Sequence, residues 1–509
     1  MNDNNFSTEN KPSYRKPHFS FILIIATIVI CTFFIFCSAP GVIAQVRENW
    51  FGKQEDGSYN SRRHATIIQQ VLDFINSHYV EEIDPEVVFE GAMEGIFNSL
   101  GDPYSVYMTE AEMKDINDTT KGTFGGVGLI ITKPISDRAD GKPPFVEVAS
   151  PIEDTPGWRA GINPGDLIIS IDGEATDKLT MDEVLARLRG TPGVTIELVI
   201  RRGEKLEFPV KVTRAIIEVP TTKFSMIDNI GYLKLLTFTP MTAERATNAI
   251  NDFIKNKYSG LILDLRNNYG GLLNSAVDIS DLFLDGGVIV STKSRMVSEN
   301  QIFTARRSSM VSEDIPIVVL INKGSASASE IVAGALKDRG RAYLVGEKSY
   351  GKGSVQQVYP LDKAGFKITT AYYYTPTNVN INKVGIPPDR TVLFPELSDE
   401  DAEKLIKLIN DDKIPQYINN NPQANAVQIE NFAKTLEKEY SLDLLLLKRL
   451  VRNEQNRTVI APVYDLEYDV QLQEAVKILK SGEFKKLMQT TKSLKTLQEE
   501  AEDETAVAS

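Results

Sequence analysis

The sequence predicts an α+β, multidomain protein: a mixed α/β core of strand-helix units, a compact β-rich domain ahead of it, and helical regions at both ends. Three observations carry this prediction. From Ile230 onward, apolar runs of strand length alternate with amphipathic stretches of helical period. Between Gly122 and Val212 the helical period breaks into short β-type runs separated by glycines. Residues 64–116, and the chain after Pro395, space their apolar positions as helices do.

The whole chain has 509 residues, 42% of them hydrophobic, which suffices for three or four packed units. Its formal net charge of -13 argues against a nucleic-acid or anionic-membrane partner. Residues 1–18 carry Lys11, Arg15 and Lys16 and precede an uncharged apolar run, Phe19 to Cys37. That pattern reads as an export signal, with 1–18 a cytoplasmic segment or n-region and 19–37 a signal peptide or membrane anchor. The run is long for a cleavable signal and just long enough to span a bilayer, which takes roughly 20 residues. Val42-Ile43-Ala44 offers a cleavage site, an uncut segment would leave a single anchor with its positive end inside, and lipid on Cys37 is a third option. Each outcome puts the bulk of the protein outside the cytoplasm, in the periplasm or cell envelope. The only cysteines, Cys31 and Cys37, lie in this run, so a zinc-cysteine site and disulfides elsewhere are excluded. No cofactor or metal is expected.

Residues 45–119 form the predicted N-terminal helical domain, with Ile67, Ile68, Val71, Leu72 and Ile75 along one stretch and Val87, Val88, Met93, Ile96, Phe97 and Leu100 along another. The β-rich domain spans 120–214, with runs at Leu129–Thr132, Phe145–Val148, Leu167–Ile171, Thr195–Arg201 and Leu206–Val212. The core, 215–395, places buried-type strands at Gly260–Leu265, Ile315–Ile321 and Arg341–Val345. The first two lead into helices near Leu272–Leu284 and Ala326–Lys337. Residues 396–509 read as helical, broken by the polar stretch Asn419–Asn425 and closed by an acidic tail, Glu499–Glu504, expected to be disordered.

Asn322-Lys323-Gly324-Ser325-Ala326-Ser327-Ala328-Ser329-Glu330 places small residues between a strand and a helix. A hydroxyl there meets the positive end of the helix dipole and N–H groups able to hold an oxyanion. Ser327 with Glu330 three residues on also fits a capping box, which needs no chemistry. The only histidines are His18, His64 and His78, all far from this sheet in sequence, so a serine here needs another base, and lysine is the common alternative. If the strands on either side of the Ala326–Lys337 helix are parallel, their C-terminal ends share one edge. The loop Ser349-Tyr350-Gly351-Lys352-Gly353-Ser354 then lands beside Ser327. Flanking glycines permit Lys352 to point inward, where desolvation lowers an ammonium's pKa toward that of a base, although for Gly-Lys-Gly taken alone a solvated loop cation is the simpler reading. Arg266-Asn267-Asn268-Tyr269-Gly270-Gly271 belongs to the same edge, where the N–H of Gly271 pairs with that of Ala328 as an oxyanion hole, or the turn serves packing alone. Asp264 and Arg266 read as a structural ion pair.

Taken together, these residues resemble the C-terminal processing, or tail-specific, protease family of Ser-Lys peptidases. The match rests on Gly324 to Ile331, Gly351-Lys352-Gly353, Asp264-Leu265-Arg266 with Gly270-Gly271, Leu100-Gly101-Asp102-Pro103-Tyr104-Ser105 and Gly385-Ile386-Pro387-Pro388-Asp389, covering roughly 65–395. The resemblance implies a crotonase-like core in which Ser327 is nucleophile, Lys352 base and Gln356 the residue that positions the lysine, with Gly271 and Ala328 as oxyanion donors. It also implies that 120–214 is a PDZ domain inserted ahead of the core. Gly126-Val127-Gly128-Leu129 would be its carboxylate-binding loop, and Gly161 to Asp166 fits the turn and strand typical of bacterial PDZ domains. The implied activity is a serine endopeptidase that takes envelope or secreted proteins by their C-termini. A regulatory adaptor protein and a homo-oligomer are compatible partners, as is a membrane if 19–37 is uncut. Asp469 to Ala475 resembles a family C-terminal stretch. A peptide-binding adaptor with an inactive core, and amide hydrolysis of a non-protein substrate, are the competing readings.

Overall fold

In the computed structural model, which describes residues 61–133, 143–203, 205–306, 308–394, 397–459 and 462–508, the apolar runs of the core become strands buried on both faces. The stretch Phe19–Cys37, with both cysteines and the candidate cleavage site, lies outside the described residues. Among those described, no helix is long and apolar enough to cross a membrane. The chain divides into two compact units, residues 1–91 and 92–509. In the first, helix Ser61–His78 carries two of the three histidines and buries none of its residues.

In the second unit the strands run, in chain order, β1 Val106–Met108, β2 Thr123–Gly126, β3 Leu129–Thr132, β4 Val146–Pro151, β5 Leu167–Ile171, β6 Glu174–Ala175, β7 Thr195–Arg202, β8 Leu206–Thr213 and β9 Ala215–Glu218. Then follow β10 Thr222–Ile227, β11 Ile230–Leu235, β12 Gly260–Asp264, β13 Gly287–Ser294, β14 Gln301–Ala305, β15 Ile317–Ile321, β16 Tyr343–Gly346, β17 Ser354–Leu361, β18 Ala364–Tyr374 and β19 Arg390–Thr391.

The β-rich domain is an antiparallel sheet, β3-β4-β5-β7-β8, with β6 on β5. Its inward side chains, among them Val146, Val148, Ile168, Leu198 and Ile200, close a core of their own. The helix Met181–Leu188 starts at Thr180, which exchanges hydrogen bonds with Glu183 and so satisfies two otherwise orphaned N–H groups. Strand β3 lies at the edge of this sheet. The ribbon β2-β9 pairs the chain where it enters the domain with the chain where it leaves.

The central sheet has the order β10-β11-β12-β15-β16-β19. All its neighbours pair parallel except β10 with β11, as strand-helix alternation requires. One face packs against apolar residues of helices Thr242–Lys255, Leu273–Asp281 and Ala328–Asp338. Leu472, Ala475, Val476 and Ile478 of helix Val470–Lys480 cover the other. Beside it lies a second sheet, β1-β18-β13-β14, with β17 also on β18. Here the structure departs from a wholly helical reading of residues 64–116. Val106-Tyr107-Met108 is a three-residue strand paired to β18, too short to interrupt the helical period on either side of it.

Four helices between Asp399 and Gln455 bury Ala433, Leu436, Leu447 and Val451 in a separate core. The polar stretch Asn419–Asn425 is the joint between two of them, with Asn425 capping the helix that follows. The acidic tail is not irregular: Glu499–Glu504 lies in helix Leu494–Ala508. That helix is pinned at its start by buried Leu494, whose N–H donates to Asp338, and its charges are offset by the pairs Lys492–Glu500 and Lys495–Glu499.

Candidate active site

Because β12, β15 and β16 are parallel and adjacent, the loops after them leave from one edge of the sheet. These are the Arg266–Gly271, Asn322–Ser327 and Glu347–Gly353 segments. The first two are laced together. Asn267 and Asn322 exchange hydrogen bonds at 2.9 Å, Ser325 Oγ donates to the Leu265 carbonyl at 2.9 Å, and Ser329 Oγ donates to the Asn268 carbonyl at 2.8 Å. Small residues are required here because each serine must reach backbone across the gap. Gly270 shows the limit: a β-carbon on it would lie 2.8 Å from that of Ser327. At Gly271 φ is +145°, and a β-carbon would strike the Phe238 carbonyl oxygen.

Beneath these loops, Arg266 is almost fully buried and forked by two carboxylates. Its guanidinium donates to Asp264 at 2.9 and 2.7 Å and to Asp469 at 2.7 Å through each terminal nitrogen, with Gln471 at 3.1 Å. Burial pushes the Asp264 carboxyl up, but the Arg266 charge and hydrogen bonds outweigh that and hold it below the usual range. The ion pair read from the sequence therefore has a third member, from the stretch Asp469–Ala475.

Ser327 is 7% exposed and stands at the head of helix Ala328–Asp338 with φ +56° and ψ -113°, a conformation that side-chain-bearing residues rarely adopt. Its side chain makes no hydrogen bond to the first turn. Glu330 Oε2 accepts the Ser327 N–H at 2.9 Å, the return bond of a capping box. The Ser327 hydroxyl faces Tyr373 on β18, whose own hydroxyl burial pushes up to about 12 against the hydrogen bond with Ser327. The N–H groups of Ala328 and Gly271 donate to no acceptor among the described residues, while that of Gly270 is spent on Asn268 Oδ1.

Glu330 does more than return to Ser327. It is fully buried, and its two oxygens also accept Ser349 Oγ at 2.5 Å, the Gly351 N–H at 2.7 Å and the Lys352 N–H at 2.8 Å. Burial pushes its carboxyl up and these donors oppose the rise. One carboxylate thus joins the Ser327 turn to the Lys352 loop. The sequence shows Glu330 only as a helix-cap partner, since its other donors lie some twenty residues downstream. Gly385-Ile386 closes the loop from behind, with the Ile386 N–H on Ser349 Oγ at 2.6 Å, and Asp389 pairs with buried Lys337.

The Lys352 amine is half-buried, and burial, then the charge of Lys367, lower its pKa against the pull of Asp102 and Glu330. Its Nζ lies 4.6 Å from the centre of the Tyr104 ring. Among the described contacts it makes no hydrogen bond with Ser327. Gln356, on β17, donates both amide protons, to Ser354 Oγ at 2.8 Å and Thr369 Oγ1 at 3.2 Å, so the carbonyl end of its amide is the one open to a further donor. The sequence reading assigned neither Tyr104 nor Tyr373 a place in the site. Tyr104 falls within the Leu100–Ser105 motif, which carries no sign of a role beside the lysine, and Tyr373 has no local signal, because both reach the site through the second sheet.

In the β-rich domain, Gly126 ends β2, Val127 is buried and Leu129 begins β3. Gly128, at φ +77°, packs so closely on Thr155 that a β-carbon would overlap it. The N–H groups of Val127 and Gly128 donate to nothing among the described residues, while their carbonyls are held by Gly157, at 2.7 Å, and by Ile152, at 2.9 Å. The loop therefore offers donors beside an open strand edge, the arrangement suited to a peptide carboxylate.

Comparison with known proteins gives matches over the same segments. Residues 229–392 match peptidase family S41, 147–202 match the PDZ domain, and 35–112 match the N-terminal domain of the activating protease CtpB. A carboxy-terminal-processing protease of Bartonella bacilliformis is 40% identical over 342 residues, covering 66% of this chain and 76% of its own. A probable CtpA-like serine protease of Staphylococcus haemolyticus is 31% identical over 458 residues, covering 87% of this chain and 89% of its own. The carboxy-terminal processing protease CtpA of Bacillus subtilis is 33% identical over 345 residues, 67% of this chain and 72% of its own.

Proposed function

The chain belongs to the carboxy-terminal processing proteases, serine-type peptidases of family S41 with a PDZ domain, and on that footing we propose that it captures protein C-termini on the PDZ domain and cleaves within the tail. Ser327 is the nucleophile, Lys352 the base, and Gln356 the residue that positions the lysine. The observation that carries this reading is Glu330, which binds the N–H of Ser327 and the N–H of Lys352 at once and so couples two loops that capping alone would leave unrelated.

The chemistry follows from these groups. The neutral Lys352 amine, made accessible by burial, takes the Ser327 hydroxyl proton as Oγ attacks the scissile carbonyl. The oxyanion that forms accepts from the N–H groups of Gly271 and Ala328, both otherwise unspent. The Lys352 ammonium returns the proton to the leaving amine as the C–N bond breaks, and water then hydrolyses the acyl-enzyme. A rotamer change along the unbranched lysine stem brings the amine from the Tyr104 ring to the hydroxyl, where the Gln356 carbonyl receives it. Substrates arrive as an added strand along β3 with their carboxylate on Val127 and Gly128. The apolar run Phe19–Cys37 behind a basic segment supports an envelope location, as cleaved signal or retained anchor.

The test is cleavage of an unfolded protein by the full chain beside Ser327→Ala and Lys352→Ala variants. Wild-type cleavage with a loss of about 1,000-fold or more in each variant is expected. Cleavage at the wild-type rate by either variant would sink the assignment of that residue. Amidating the substrate C-terminus should weaken its capture if the PDZ loop reads the carboxylate.

A further inference from the structure

The turn Gly101–Ser105 ahead of β1 carries no reacting group, yet it faces the base. The Tyr104 ring lies under the Lys352 amine, and the Tyr104 hydroxyl is pushed up to about 12 first by its neighbour Tyr350, from the lysine's own loop. The turn is rigidly made. Asp102 accepts Ser105 Oγ at 2.6 Å and the Tyr104 N–H at 3.0 Å, and Ser105 Oγ accepts the Thr369 N–H of β18 at 3.0 Å. Thr369 is also the partner of Gln356, so one strand fixes both the Tyr104 turn and the amide that would receive the lysine.

An aromatic face attracts an ammonium and is nearly indifferent to the neutral amine. The ring therefore favours the charged lysine, in a setting where the other groups that bear on it are Glu330 from the helix Ala328–Asp338, Asp102 from the same turn as Tyr104, Lys367 from β18 and Tyr350 from its own loop. Resting on the reading of Lys352 as base, we propose that Tyr104 is a positioning residue for that lysine. Its ring seats the ammonium between proton transfers and thereby sets the pH at which the amine becomes a base.

The experiment is the pH dependence of kcat/KM for a fluorogenic peptide, measured on the full chain in detergent, with Tyr104→Trp, Tyr104→Phe, Tyr104→Leu and Lys352→Ala. Trp has the strongest ring field and Leu has none. The acid limb is expected to lie highest in Tyr104→Trp, near the wild type in Tyr104→Phe, and about half to one pH unit lower in Tyr104→Leu. If one variant fails to fold by circular dichroism, the order among the rest still decides. Limbs that coincide, or that ignore the order of the rings, overturn the proposal. With Lys352→Ala inactive, that result leaves the base assignment standing. An active Lys352→Ala would instead remove the base reading, and this proposal with it.

Discussion

Ser327 and Lys352 sit on either side of Glu330, one in a turn sealed between two parallel strands, the other on a loop that runs out into the hairpin β17-β18. The serine side is buried and laced to the Arg266–Gly271 loop, with a forked guanidinium beneath it. The lysine side is half-exposed: its backbone is held at Glu330, while its amine lies over an aromatic ring. On the chemistry proposed above, the difference teaches that the oxyanion cradle would be built in advance and the base delivered to it. Stabilising a developing charge needs fixed dipoles, whereas proton transfer needs a group that can move.

Three substitutions probe this contrast. Glu330→Gln, at the joint, turns an NH2 toward donors that now meet an oxygen. It should cut peptidase activity by at least about 100-fold and destabilise the fold by about 2–4 kcal/mol, read as a lowered Tm. An unchanged Tm would mean that the two sides are not coupled through this carboxylate. On the serine side, Gly271→Ala forces a β-carbon against the Phe238 carbonyl in a left-handed backbone. Activity should fall about 100-fold, with a loss of about 2 kcal/mol in denaturant unfolding. On the lysine side, Gln356→Ala removes only hydrogen bonds to Ser354 and Thr369. It should lower kcat about tenfold with Tm nearly unchanged, and a Tm loss as large as that of Gly271→Ala would erase the contrast.

Much of the serine side was legible because its signals are local. The runs Gly260–Leu265 and Ile315–Ile321 are apolar enough to be strands buried on both faces, and parallel pairing then brings their loops to one edge. The lysine side was legible only in part. Gly351-Lys352-Gly353 marks a tight loop, but nothing in Ser354–Leu361 or Ala364–Tyr374 announces that this hairpin joins β1 and β13 in a second sheet. Tyr104 meets Lys352 through that sheet, across a separation that no window of periodicity spans. Asp469 reaches Arg266 from 203 residues downstream, and the sequence shows each only as a charge. The acidic tail departs from its composition for a related reason. Composition speaks of solvation, while the helix is fixed by one leucine docked elsewhere.

The Asp469 clamp on Arg266 also orders events in time. A ribosome delivers Arg266 and Ser327 long before Asp469, which completes the charge pairing beneath them, and β1 waits in the same way for β18. Non-local pairing of this kind is made late in folding. The newborn chain therefore carries the Arg266 guanidinium without its second carboxylate until the helix that begins at Val470 is about to emerge.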